Sequence, residues 1–444
     1  MAGIAGVARP GSLALVESML DKIAHRGGAG REIQEIHGIT LGMAWTSLQP
    51  PPALTQTKMV QDGSCPEHSA SARWLNDQLV LKRDALGVSP LYYGHSIDGT
   101  LCFASEVKAL LEATLDIREF PPGCCLAGAR MTRHFQLHKQ QPLSDPIETI
   151  AAQLRQRLQA AVQKHITKDE CGAWLSGGLD SSAIAALARP HVKVLHTIAA
   201  GLSGAPDLEH ARTMAGFIKS RHHEAVVSMD DMLRVLPDVI YHLESFDSLL
   251  IRSSVTHYLA SKTASDYVGE IFSGEGGDEL FAGYDYLKSI ASGALDDELI
   301  EITNSLHNTA LQRVDRCASA HGLIAHLSFL DPDVVDYALR IPAELKLRHT
   351  TEKWILRESM QDLLPEGIRQ RKKAKFWEGA GVTQLFADYA EKTVSDHDFN
   401  HERTLPNGWV LNSKEELMYY RIFQEHFGAS KSLAWMGRTK QNNT

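Results

Sequence analysis

Residues 173–188 read "AWLSGGLDSSAIAALA". An apolar run leads into Ser176-Gly177-Gly178, then Asp180-Ser181-Ser182, then an alanine-rich segment at helical spacing. The pattern is strand, glycine turn, helix. A helix opening directly from such a turn leaves its first backbone N–H groups unpaired, and its dipole favours negative charge there. Glycine lets the backbone approach a phosphate closely. The hydroxyls of Ser176, Ser181 and Ser182 add donors, and Asp180 is a candidate ligand for Mg²⁺ or its water shell. No lysine follows, so this is not G-x-x-x-x-G-K-[ST], and it is not G-x-G-x-x-G.

Outward from this stretch the chain alternates. "VKVLHTIAAG" reads as strand, "DLEHARTMAGFIKSR" as helix, "HHEAVVS" as a short strand, and "YVGEIFSGEGGDELF" as strand, turn and helix. Strands alternating with helices predict a doubly wound parallel sheet, so the fold class is α/β. Beyond residue 290 the pattern is mainly helical. Residues 1 to about 135 are β-rich, with short runs such as "GITLGMAW", "DQLVLKRD" and "LCFAS" between turn residues. Residues 46–70, polar and proline-rich, are expected to form a surface loop. A linker falls near 138–146, which places one domain at 1–140 and a second at 146–444.

Composition narrows the function. The 444 residues carry a net charge of −9, which argues against a general nucleic-acid partner. No apolar run reaches membrane-spanning length, and no secretory signal is apparent, so no membrane partner and a cytoplasmic location are expected. The six cysteines form no C-x-x-C pair, and the histidines form no H-E-x-x-H.

The second glycine loop, "FSGEGGDELFAGY" (272–284), sets Ser273, Gly274, Glu275, Asp278 and Glu279 after another strand. Acidic groups facing a triphosphate make sense with Mg²⁺ between them, and two such loops at adjacent strand ends form a site where doubly wound sheets bind ligands. The first loop resembles the PP-loop of the ATP pyrophosphatases. Together, "LSGGLDSS" and "SGEGGDELFAGY" resemble the asparagine synthetase family, which includes β-lactam synthetases. "GLSGAPDL" (201–208), "DVIYHLESFD" (238–247) with Arg252, "RVDRCASAHGLIAHLSFLD" (313–331) and "KWILRESMQDLLPEGIRQRKKAKFWEGAG" (353–381) are similar to later family segments in the same order. "HRGGAG", "LKRDALGVSPLYYG" and "FASEVKALL" resemble remnants of the family's glutaminase domain. The likeness weakens after about residue 390.

The resemblance implies an N-terminal Ntn-hydrolase-like, glutaminase-type sandwich followed by a PP-loop ATP pyrophosphatase domain with helical additions. It implies an ATP-dependent ligase, with ATP and Mg²⁺ as cofactors. A substrate carboxylate attacks the α-phosphorus of ATP, pyrophosphate leaves, and ammonia or an amine displaces AMP. In this chain it assigns Leu175, Ser176, Gly177, Gly178, Asp180, Ser181, Ser182, Ser273 and Gly274 to ATP and pyrophosphate. Asp180 and Asp278 become the metal ligands, Arg252 and Asp278 the substrate contacts, Glu275 the acid/base or amine-orienting group, and Lys373 the charge-neutralising lysine, with Lys372 and Lys375 as rivals.

The family pattern also breaks. Its nucleophilic cysteine position holds Ala2, its glutamine-holding arginine falls near Trp45, and its N-G-E-I-Y-N segment has no counterpart in 46–75. An alanine methyl is no nucleophile, so the expected nitrogen source is ammonia or an amine rather than glutamine. Cys65, in a loop, is a poor substitute. Where asparagine synthetases place Thr-Thr, this chain has Leu249-Leu250, which either pack a helix start or open the pocket to a larger, more apolar acid. A small-molecule carboxylic acid, aspartate or another, with ammonia or an amine is the expected substrate pair, with a homodimer or an ammonia-supplying protein as candidate partner. An intramolecular, lactam-type synthetase and an ATP-binding pseudoenzyme or assembly protein stay open. A PP-loop tRNA-modifying enzyme is disfavoured by the acidic charge.

Overall fold

A computed structural model describes residues 2–46, 51–373, 376–382, 384–428 and 432–439. The N-terminal part is a sandwich of two antiparallel sheets. One has six strands: β1 (Ala2–Val7), β2 (Gly30–Ile36), β3 (Ile39–Trp45), β7 (Tyr92–His95), β8 (Leu101–Ala104) and β9 (Ile117–Glu119), in the order β2-β3-β1-β8-β7-β9. The other has five: β4 (Met59–Cys65), β5 (His68–Leu75), β6 (Gln78–Arg83), β10 (Cys124–Ala127) and β11 (Arg130–Arg133), in the order β11-β10-β6-β5-β4. Ile4, Leu41 and Phe103 from the first sheet meet Val60, Ala70, Leu81 and Leu126 from the second in one buried layer. Burial of facing apolar side chains from two sheets is the driving force for such a sandwich.

The expectation of a surface loop at 46–70 is overturned where it falls on described residues. Met59–Cys65 and His68–Leu75 pair antiparallel as a hairpin with an irregularity between Gly63 and Cys65. The strand is hard to read because one of its inward positions is Asp62, fully buried and satisfied by charge rather than by apolar packing.

The C-terminal part holds a five-stranded parallel sheet, β12 (Glu170–Trp174), β13 (Val194–Leu202), β14 (Arg221–Val227), β15 (Glu270–Phe272) and β16 (Ile324–His326), in the order β14-β13-β12-β15-β16. β16 is a strand within the region expected to be mainly helical. It joins the sheet edge through Glu270↔Ile324, Ile271↔Ala325 and Phe272↔His326. Helices Ile147–Gln163 and Leu179–Ala188 contribute Leu154, Leu158, Ile184 and Leu187 to a continuous core with Leu195 and Ile271 of the strands. β12 and β15 are hydrogen-bonded neighbours, so the turns that follow them emerge side by side at the carboxyl edge. Among the described residues no helix is long and apolar enough to cross a membrane.

A buried ion network joins the two parts. Arg26, fully buried, donates to Asp62, to Glu106 (2.8 Å), to Asp315 (2.8 and 2.9 Å) and to the Ala2 carbonyl (3.1 Å). Arg316 donates to Glu244 (3.1 Å) and lies 3.0 Å from Glu106. Glu244 in turn accepts the backbone N–H groups of Val107 and Lys108. Charges this deep persist because each meets an opposite partner.

Candidate active site

The chain turns between Trp174, where β12 ends, and Leu179, where the next helix begins, because Gly177 takes a φ of +68°. A Cβ at Gly177 would also come 2.4 Å from that of His210. Gly178 then caps the helix Leu179–Ala188. The hydroxyls of Ser176 and Ser181 lie 3.1 Å apart, and Ser181 also donates to the Gly178 carbonyl (3.2 Å). The second turn, after β15, presses against the first. A Cβ at Gly274 would lie 2.7 Å from the Ser181 nitrogen, and one at Gly277 would lie 2.7 Å from Asp180 Oδ1. Glycine at these positions is what brings the two loops into contact.

Between the loops sits a four-group charge cluster. Lys353 Nζ bonds Asp180 Oδ2 and lies 2.6 Å from Asp278 Oδ1. Lys373 Nζ bonds Asp278 Oδ2. Burial pushes the carboxyl of Asp278 up, but the two ammonium groups outweigh it and hold the group well below its usual range. Asp180 has burial and the neighbouring Asp278 charge against it, and its carboxyl is raised. Burial and the charges of Asp278 and Glu275 also push Glu279 up to about 7; its Oε1 accepts the Tyr284 hydroxyl.

All of this lines one cavity of about 1350 Å³. Its walls include Leu175, Ser176, Gly178, Asp180, Ser181, Ser273, Gly274, Glu275, Asp278, Arg252 and Lys373 from the expected set. Two expected residues do not line it. Gly177 shapes the turn, and Ser182 is fully buried, its hydroxyl without a hydrogen-bond partner. Helical geometry explains this, since Ser181 and Ser182 point about 100° apart. Arg252 reaches the wall already paired, with Nε 2.7 Å from Glu415 Oε1 and Nη2 on Oε2. Both leucines line the cavity at the start of the helix Ser248–Ser265; Leu250 is buried and also packs into the core, whereas Leu249 is half-buried. Lys372 is exposed at the rim, and Lys375 lies outside the described residues.

Three site residues escaped the sequence reading. Lys353 opens the quoted segment 353–381 but carries no local mark of its role. Arg313 donates to Glu275 through Nη2 and to Ser253 Oγ (2.9 Å) through Nη1. Arg371 donates to the Ser176 carbonyl (3.0 Å) and to Asp207 (2.5 Å), tying the first loop to the start of the helix Pro206–Ile218. Each partner is far away in sequence, so spacing could not reveal the pairs.

A phosphate chain fits the turn and helix N-terminus of the first loop. Asp180 and Asp278 are the carboxylates suited to a hard divalent cation, and buried Asp180 Oδ1 has no hydrogen-bond partner, leaving a lone pair free for one. Among the described residues no group of three or more His, Cys, Asp or Glu side chains is arranged to hold a metal.

The asparagine synthase family profile matches residues 153–300 and 289–443. The chain belongs to the asparagine synthetase family. The match runs through the helix Lys414–Phe427, well past residue 390, beyond which the motif-level likeness weakens. A glutamine amidotransferase domain profile matches residues 74–135. The chain is 34% identical to asparagine synthetase [glutamine-hydrolyzing] 2 of Arabidopsis thaliana, over 80% of this chain and 66% of that protein. It is 35% identical to the probable asparagine synthetase [glutamine-hydrolyzing] of Schizosaccharomyces pombe, over 79% and 70%. It is 34% identical to asparagine synthetase B [glutamine-hydrolyzing] of Escherichia coli, over 79% and 68%. The chain thus spans about two thirds of the length of these asparagine synthetase relatives.

Proposed function

We propose that this chain is an ATP-dependent, AMP-forming carbon–nitrogen ligase that adenylates a substrate carboxylate and passes the acyl group to ammonia or an amine, without hydrolysing glutamine. The observation that carries the reading is the Asp180–Lys353–Asp278–Lys373 cluster, set between two glycine loops in one cavity. A carboxylate is a poor acyl donor, because oxide is a bad leaving group. Joining it to AMP supplies a good one, and the protein's work is then orientation and charge stabilisation.

The roles follow from position. The backbone and hydroxyls of Ser176–Ser181 hold the phosphates, with the unpaired N–H groups of the helix start facing the anion. Lys353 and Lys373 neutralise negative charge as the phosphate bond breaks. Asp180 and Asp278 would hold Mg²⁺, which when bound would supply further charge neutralisation. Glu275, held by Arg313, stands in the cavity wall where it can take a proton from, or orient, the attacking nitrogen.

The N-terminal sandwich, taken as a domain over about 1–140, supports the absence of a glutaminase. Ala2 stands in the family's cysteine position, with its N–H on Asp62 Oδ1 (3.1 Å) and its carbonyl on Arg26. No thiol is present there, and the buried guanidinium of Arg26 fills the neighbouring space. The 2–140 region then acts as a clamp on the synthetase part, taken as 146–444, and ammonia or an amine enters from solution or from a partner protein.

The side chains of Leu249 and Leu250 in the cavity wall support an acid more apolar than aspartate. The intramolecular, lactam-type version stays as a sub-case. ATP–pyrophosphate exchange with purified protein, Mg²⁺ and a panel of carboxylic acids tests the reading. Exchange that depends on one acid establishes adenylation, and added ammonium or glutamine then identifies the nitrogen source. ATP binding with no exchange from any acid favours the pseudoenzyme instead.

A further inference from the structure

We propose that Lys353 is the resident counter-cation of Asp180 and Asp278, so that a divalent metal enters this site only together with the nucleotide. The inference rests on the ATP-site reading above and deepens it. Two carboxylates this deep repel each other and have lost their hydration, which is costly without a positive charge between them. Lys353 supplies it by bonding both.

The fold is built around that placement. Lys353 holds a left-handed backbone, φ 55°, unusual for a side-chain-bearing residue, at the entry to the helix Trp354–Ser359. Its N–H donates to the Phe281 carbonyl (3.1 Å), which pins it to the second glycine loop. Gly283 leaves room for its stem, since a Cβ there would come 2.2 Å from Lys353 Cε and 2.0 Å from Asp278 Oδ1. Lys353 is buried, with 2% of its surface exposed.

With Lys353 and Lys373 in place, the two carboxylates and two ammonium groups sum to zero charge. A metal ion arriving alone would have to displace Lys353 from both carboxylates and leave its ammonium buried without a partner. Triphosphate changes the balance, because its oxygens offer Lys353 and Lys373 new acceptors. The lysines then move onto phosphate, and the carboxylate oxygens become free for the metal. The two bindings are coupled, and the coupling is reciprocal.

The test uses Mn²⁺ as the probe, followed by the loss of its free-ion EPR signal in the full chain, with and without α,β-methylene-ATP. Because the analogue itself chelates Mn²⁺, the deciding measurement is made on the nucleotide-free protein, where the wild type is expected to leave the free-ion signal unchanged. Lys353→Met is expected to bind Mn²⁺ without nucleotide about tenfold or more tightly than wild type, within the usual range of site–site coupling, while Lys353→Arg behaves like wild type. Mn²⁺ bound by nucleotide-free wild type overturns the proposal, and so does a folded Lys353→Met that gains no affinity. The nucleotide-free wild-type measurement stands even where Lys353→Met does not fold. Failure of the nucleotide analogue to bind at all, read by calorimetry, sinks the ATP-site reading itself and is distinct from either outcome.

Discussion

Arg313 and Glu275 form an ion pair inside the cavity wall, and the same guanidinium reaches Ser253 Oγ at 2.9 Å. The pair links the second glycine loop to the helix Ala310–Ser319 and to the helix that carries Leu249 and Arg252. Arg313→Met is expected to cut amide formation by roughly 10²-fold, the usual scale for losing one oriented polar contact at a reacting centre. ATP–pyrophosphate exchange is expected to fall much less, because the phosphate end of the cavity is untouched. Equal losses in both assays would place Glu275 in the adenylation step instead.

Lys372 and Lys373 are both exposed along the cavity wall, and it is the Nζ of Lys373 that bonds Asp278. Lys373→Met is expected to lower exchange by about 10²–10³-fold, through loss of charge stabilisation at the phosphate. Lys372→Met is expected to change it less than about threefold. Parallel steady-state assays of the two variants separate the neighbours.

Glu279 is raised to about 7 from an ordinary carboxyl value. The folded protein therefore holds this proton more tightly than the unfolded chain does. Its contribution to stability is fully present below the unfolded pKa, near 4–4.5, and is lost as pH rises through about 7. The loss is on the order of a few kcal/mol. Glu279→Gln removes the titration, so the fall in Tm between pH 5 and 8 is expected to flatten. Thermal melts of both proteins across that range check it, and an unchanged slope refutes it.

Arg26 is the hub of the network between the sandwich and the parallel-sheet part. Arg26→Met would leave Asp62 and Asp315 without their shared cation. The expected cost is about 3–5 kcal/mol, read as a lower urea midpoint, because stranding buried charges is worse than never burying them. A loss below about 1 kcal/mol would mean that water already screens the network.

Gly177 holds a positive φ, and its missing Cβ would collide with His210. Gly177→Ala is expected to weaken nucleotide binding about tenfold or more, and to destabilise the fold by roughly 1–3 kcal/mol. Calorimetric titration with α,β-methylene-ATP measures the first, and urea unfolding the second.

The strand-turn-helix units around Ser176 and Ser273 were legible from local pattern, because hydrophobic period and glycine placement are properties of neighbouring residues. The same holds for the alternation that builds the parallel sheet. The β4–β5 hairpin was not legible, since Asp62 occupies an inward position that would ordinarily be apolar. Ser181 and Ser182 looked alike in sequence, but only Ser181 faces the cavity, because consecutive helical side chains diverge by about 100°.

By itself, the sequence determined where glycine turns meet helix starts, and therefore where the two loops proposed to bind phosphate lie. It also determined that position 2 carries no thiol. Only the tertiary structure decided which cations serve those loops. Lys353 meets Asp180 across 173 residues, Arg371 meets the Ser176 carbonyl across 195, and Arg313 meets Glu275 across 38. Local structure follows from backbone propensities and periodicity within a few residues. Ion pairing inside a protein follows from which segments the packed core brings together, and at buried sites each charge takes the partner that the fold delivers to it.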